Sequence, residues 1–133
     1  MKKLILLSII SLFVASCSNG IAKYESSLTT EIGKEPNTNK QNGNDKNTQI
    51  IEWKGVSLTL QSNLKNVVDK TFGSLPAKTS ELTADIDREG NTIKGTFVRY
   101  WSYENSKSKV ELSYQFEDAK PNTMNVKLFI TTK

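Results

Sequence analysis

Val110-Glu111-Leu112-Ser113-Tyr114-Gln115-Phe116, and after Lys120-Pro121-Asn122 the run Met124-Asn125-Val126-Lys127-Leu128-Phe129-Ile130-Thr131, decide the fold class. The first run sets Val110, Leu112, Tyr114 and Phe116 against Glu111, Ser113 and Gln115. The second sets Met124, Val126, Leu128 and Ile130 against Asn125, Lys127, Phe129 and Thr131. Successive side chains of a strand point to opposite faces, so a period of two predicts strands with one buried and one wetted face. Two more strands precede these. Leu82, Ala84 and Ile86 alternate with Thr83, Asp85 and Asp87, and Glu89-Gly90-Asn91 turns the chain into a strand from Ile93 to Tyr103. Glu104-Asn105-Ser106 turns it again. Strands joined by short turns predict an antiparallel meander.

Upstream, Val56, Leu58 and Leu60 alternate with Ser57 and Thr59, which predicts a further strand. Ser62 then stands where a helix N-cap is expected, and Leu64, Val67, Val68 and Phe72 form one apolar stripe. Gly73 and Pro76 stop that helix. The expectation is an α+β domain over residues 49–133, a curved antiparallel sheet packed on a single α-helix. About 85 residues suffice for one small domain. The layout resembles cystatin-like helix-on-sheet folds, and a shared layout implies nothing about function.

Residues 17–48 read as a lipidated start and a flexible, disordered tether. Asn37, Asn39, Asn42, Asn44 and Asn47 mix with Lys34, Lys40 and Lys46, while apolar residues are sparse: Ile21, Tyr24, Leu28 and Ile32. Such a stretch buries too little surface to offset the entropy of ordering it. About 30 flexible residues would span roughly 30 Å. The segment is expected to be dispensable for folding, with at most a short helix around Tyr24 to Ile32.

Residues 1–16 read as a signal segment. Lys2 and Lys3 precede an apolar run from Leu4 to Val14, and Val14-Ala15-Ser16-Cys17 closes it. The run is shorter than the roughly 20 residues of a spanning helix. Cys17 is the only cysteine. The segment resembles the lipobox of bacterial lipoproteins, with valine where leucine is commonest. That resemblance implies that Cys17 is acylated and becomes the first mature residue. It also implies attachment to a membrane through lipid, and Ser18 is compatible with sorting to the outer membrane of a two-membrane cell. One acyl chain holds weakly and two or more hold stably.

The charge excludes one class of partner. Taking Lys2 and Lys3 from 18 basic residues leaves 16 against 14 acidic, a net charge near +2. A nucleic-acid partner calls for a larger, concentrated excess. Catalytic groups are scarce as well. The chain has no histidine, hence neither the commonest general base nor the commonest metal ligand. Asp85, Asp87 and Glu89 lead into Gly90-Asn91 but lack a calcium-loop register, and they read as a solvated strand running into a turn. No catalytic residue, metal site or cofactor is expected.

The strand Ile93–Tyr103 breaks the alternation. Ile93, Phe97, Trp101 and Tyr103 share one parity with Arg99, while Val98 and Tyr100 take the other. Either a bulge re-aims the strand after Phe97 or both faces are partly covered. Tyr, Trp and Arg concentrate binding energy at interfaces, so Arg99, Tyr100 and Trp53 are the expected partner-binding residues. The expected function is a lipid-anchored, non-enzymatic protein-interaction module of the cell envelope or surface. A small-ligand carrier, an enzyme inhibitor, or an accessory part of a secretion or envelope-assembly machine are the alternatives. A large cavity would favour the carrier and a filled core would favour protein docking.

Overall fold

A computed structural model describes residues 19–42 and 47–133. Cys17, Ser18 and the signal segment lie outside the described residues. The elements run α1 (Asn19–Ile32), β1 (Thr38–Gln41), β2 (Thr48–Ser57), a 3-10 turn (Leu58–Leu60), α2 (Gln61–Phe72), β3 (Lys78–Thr79), β4 (Thr83–Ile86), β5 (Thr92–Glu104), β6 (Ser108–Glu117) and β7 (Lys120–Thr132). The class is α+β, as the alternation predicts. The strands form one seven-stranded antiparallel sheet in the order β1-β2-β7-β6-β5-β3, with β4 also on β5. β4, β5, β6 and β7 are the expected four-stranded meander.

Among the described residues two helices, not one, cover the sheet. Ile21, Tyr24, Leu28 and Ile32 recur at helical spacing and form the inner stripe of α1. Tyr24 and Leu28 are buried, and Ile21 and Ile32 pack against the same core. α1 lies along α2, whose Leu64 and Val68 are buried, with Val67 and Phe72 at the margin. The sheet contributes Ile51, Trp53 and Val56 from β2, Trp101 and Tyr103 from β5, Val110, Leu112 and Tyr114 from β6, and Met124, Val126, Leu128 and Ile130 from β7. Residues 19–42 therefore belong to the domain. The expected tether through residue 48 is corrected, because its few apolar residues find partners far along the chain.

The stretch 48–62 also differs from expectation. β2 begins at Thr48 and bulges between Trp53 and Val56, where Gly55 takes φ +66°. The bulge keeps both Trp53 and Val56 on the core side. Ser57, not Ser62, caps the following turn, its hydroxyl accepting the Thr59 N–H at 3.3 Å. Leu60 is the N-cap of α2 and supplies no side-chain bond.

The two halves of the domain repeat each other. Each helix ends on a left-handed glycine, Gly33 (φ 88°) and Gly73 (φ 93°), followed three residues later by Pro36 or Pro76 and then a short edge strand. The Asn37 N–H donates to the Glu52 carbonyl (2.7 Å), and the Ala77 N–H donates to that of Ser102 (2.8 Å). One row across the sheet reads Asn39, Ile51, Leu128, Leu112, Trp101, Thr79. An approximate two-fold axis, normal to the sheet, thus passes through the Leu112–Leu128 pair. It exchanges α1 with α2, β2 with β5 and β7 with β6.

Under this operation Trp53 corresponds to Tyr103, and Thr29 to Asp69. The Tyr103 hydroxyl donates to Asp69 Oδ1 at 2.5 Å. Trp53 Nε1 and Thr29 Oγ1 are instead the two buried side-chain polar atoms without a partner among the described residues. A buried polar atom left unpaired costs stability. Thr29→Val removes one at nearly constant shape, so it should raise stability by up to about 1 kcal/mol in urea melts. A marked loss would show that the hydroxyl has a partner, such as a bound water.

Candidate functional site

The expected partner-binding residues occupy three separate environments. Trp53 is fully buried beneath the helices. No partner reaches it without opening the fold, so its assignment to a binding surface is corrected. Arg99 and Tyr100 point to opposite faces, as neighbours in a strand must. β5 pairs β6 without a break from Thr96 to Glu104, so no bulge follows Phe97. The irregularity lies earlier, between β4 and β5, where Gly95 takes φ +76°.

On the helix side, Phe97, Arg99, Trp101 and Tyr103 stand opposite Phe116, Tyr114, Leu112 and Val110. Trp101 is buried and meets Tyr114 edge-on, ring centres 4.9 Å apart. Tyr103 is held by Asp69, which also pairs with Lys65 at 2.9 Å. The Tyr114 hydroxyl donates to the Gln61 carbonyl at 2.5 Å. Burial raises the pKa of both phenols, so they stay protonated and serve as donors. Arg99 lies beyond the start of α2 and is exposed. It lines a groove of about 420 Å³ with Trp101, Ser62 and Lys65, among others.

The second surface is the open face of the sheet. Two rows cross its centre, and both follow from the strand register. One is Tyr100, Ser113, Lys127, Glu52, and the other is Ser102, Glu111, Phe129, Ile50. A third row holds Val98, Gln115 and Asn125. No helix covers this face among the described residues, and the side chains are mostly half-buried by one another. The charges of the first row are paired. Lys127 pairs with Glu52 at 3.8 Å. The Gln115 amide donates to Asp85 at 2.7 Å.

Glu111 differs. It has no hydrogen bond or ion pair among the described residues. It lies between two shallow depressions of about 170 and 200 Å³, both of which it lines together with Phe129. Burial pushes its carboxyl above the usual range, and the Lys109 ammonium opposes that only in part. The folded state thus holds this proton more tightly than the unfolded chain. Its contribution to stability is full below the ordinary glutamate range and is lost as pH rises through the raised value. Glu111→Gln should therefore be more stable than the parent at pH 7, with the gap closing toward pH 4. Thermal melts of both proteins across that range test this, and a gap independent of pH would count against it.

Glu111, Phe129 and Lys127 were not singled out from the sequence. The signal was a large aromatic residue, Phe129, in the otherwise polar set of β7. Asp85 and Asp87 have structural duties, Asp85 as the acceptor of the Gln115 amide. Asp87 Oδ1 accepts the N–H groups of Glu89 (3.0 Å) and Asn91 (2.9 Å), closing the β4–β5 turn. No cluster of metal-ligating side chains occurs among the described residues. No family model, curated protein or solved structure matches the chain.

Proposed function

We propose that this chain is a bacterial lipoprotein, held to the cell envelope through Cys17, whose folded domain is a non-enzymatic protein-interaction module. The observation that carries the interaction reading is the open sheet face, with an unpaired half-buried carboxylate beside an aromatic ring. The filled core favours docking over a carrier role, since Leu28, Ile51, Trp53, Leu64, Val68 and Leu112 are all fully buried. No helix among the described residues is long and apolar enough to cross a membrane. The Val14-Ala15-Ser16-Cys17 sequence supports attachment by lipid, and Ser18 is compatible with the outer membrane.

Asn19, the first residue of α1, is two positions after Cys17. Two residues reach about 7 Å. The domain then sits directly on the bilayer, in place of the long tether that composition suggested. Cys17→Ser should abolish lipid labelling and release the protein from the membrane fraction. Normal labelling of that variant would remove the lipoprotein reading. For the interaction reading, a photo-crosslinker at Tyr100 in intact cells should give a discrete adduct with one envelope protein. Absence of any adduct from sites across the open face would reject it.

A further inference from the structure

The two-fold axis makes the isolation of Glu111 specific. It exchanges Glu111 with Lys127 and Ser102 with Glu52. One row runs Thr38, Glu52, Lys127, Ser113, Tyr100, and its mate runs Lys78, Ser102, Glu111, Phe129, Ile50. In the first row the central charge, Lys127, has its counter-ion beside it at 3.8 Å. In the second, the place next to the central charge is taken by Ser102, with Lys78 one strand further on; Lys109, two residues earlier on β6, lines one of the depressions and offsets the charge in part but forms no ion pair with it among the described residues. The carboxylate is thus half-desolvated with no partner in the position that its symmetry mate fills. Leaving a charge so placed costs folding energy.

Deepening the interaction reading and resting on it, we propose that Glu111 receives a lysine or arginine side chain from a partner polypeptide laid across the open face. The depression of about 200 Å³ fixes the sign of the partner group, because its Lys127 already faces Glu52 and its Asp85 accepts from Gln115, which leaves the Glu111 carboxylate unanswered there. The surroundings fix its character. Phe129 stands beside Glu111 in the same row and Ile50 beyond it, so the methylenes of a long cationic side chain have an apolar surface to lie on while its head meets the carboxylate. Size points to a polypeptide and not to a small molecule. Depressions of about 170 and 200 Å³ are smaller than the roughly 300–1,000 Å³ of small-ligand sites. Each suits one side chain of a larger partner.

The test selects twelve-residue peptides from a random display library on the purified full chain. Affinities of synthetic versions are then measured by titration calorimetry. Selected sequences are expected to share a lysine or arginine at one position. Replacing that residue by norleucine, or Glu111 by glutamine, should each weaken binding by about tenfold or more. The two changes together should cost no more than either alone. Glu111→Gln must melt at or above the parent temperature, so lost binding is not lost folding.

Peptides without a shared cation, failure to select any peptide, or affinities indifferent to Glu111→Gln would overturn the proposal. So would self-association of the parent chain, in sedimentation, that Glu111→Gln abolishes, because the occupant is then a second copy. The two readings fail separately. A Tyr100 crosslink that persists in Glu111→Gln keeps the interaction module and removes the cationic contact.

Discussion

A chain beginning at Thr48 should fail to fold. This segment looked dispensable by composition, yet α1 places Tyr24 and Leu28 in the core at 5% and 0% exposure. Removing Leu28 alone, as Leu28→Ala, should cost about 2–5 kcal/mol. Truncation also removes Tyr24, the packing of Ile21 and Ile32, and the pairing of β1 with β2. Those losses together reach the total stability of such a domain, about 5–15 kcal/mol. The exposed remainder would include Ile51, Trp53 and the α1-facing side of α2. Circular dichroism and denaturant melts of residues 48–133 should show no cooperative transition. A melt within a few degrees of the longer chain would return residues 19–42 to the role of a tether. A tyrosine probe gives a second readout, since burial pushes the pKa of Tyr24 up to about 12. Spectral titration of the folded chain should leave that phenol protonated through the normal tyrosine range near 10.

Trp53→Ala should cost about 3–5 kcal/mol, the usual penalty for an aromatic core deletion. The indole is wholly enclosed, between Ile51 and Val56 along β2 and opposite Val126 on β7. Its Nε1 has no partner among the described residues, so a small part of the burial is returned on deletion. Tyr100→Ala should cost much less, because Tyr100 stands on the open face and is only half-buried. The pair separates folding from binding. Trp53→Ala should lower the urea midpoint and abolish capture only by unfolding. Tyr100→Ala should leave the midpoint nearly unchanged and weaken capture, since a hot-spot aromatic contributes about 2 kcal/mol or more. Equal, large stability losses in both variants would mean that the open face is covered.

The repeat of the two halves left a trace that was not read. Gly33 and Pro36 recur as Gly73 and Pro76, forty residues later. The second copy reads as a helix stop because a clear apolar stripe precedes it. The first was lost among asparagines and lysines that follow, from Lys34 to Asn47. β1 was illegible for a different reason. Thr38-Asn39-Lys40-Gln41 carries no apolar residue and exists only through its bonds to Gln49–Glu52. The expected N-cap at Ser62 failed because the 3-10 turn capped by Ser57 runs straight into α2.

By itself the sequence determined what depends on near neighbours. Period-two alternation set which faces of β6 and β7 are buried. The stripe from Leu64 to Phe72 set the inner side of α2, and Gly73 with Pro76 set its end. The resemblance at Val14 to Cys17 set the expectation of a lipid anchor. Tertiary structure decided what depends on residues distant in the chain. It drew α1 into the core, enclosed Trp53, and sent Arg99 and Tyr100 to different faces. It also set Ser102 opposite Glu111, where the symmetry mate Lys127 has Glu52. A side chain's partner across a sheet is fixed by register, and register here is fixed by the burial of one whole face at once. Strands such as β2 and β7, some seventy residues apart in sequence, acquire their pairings only when that common face closes against both helices.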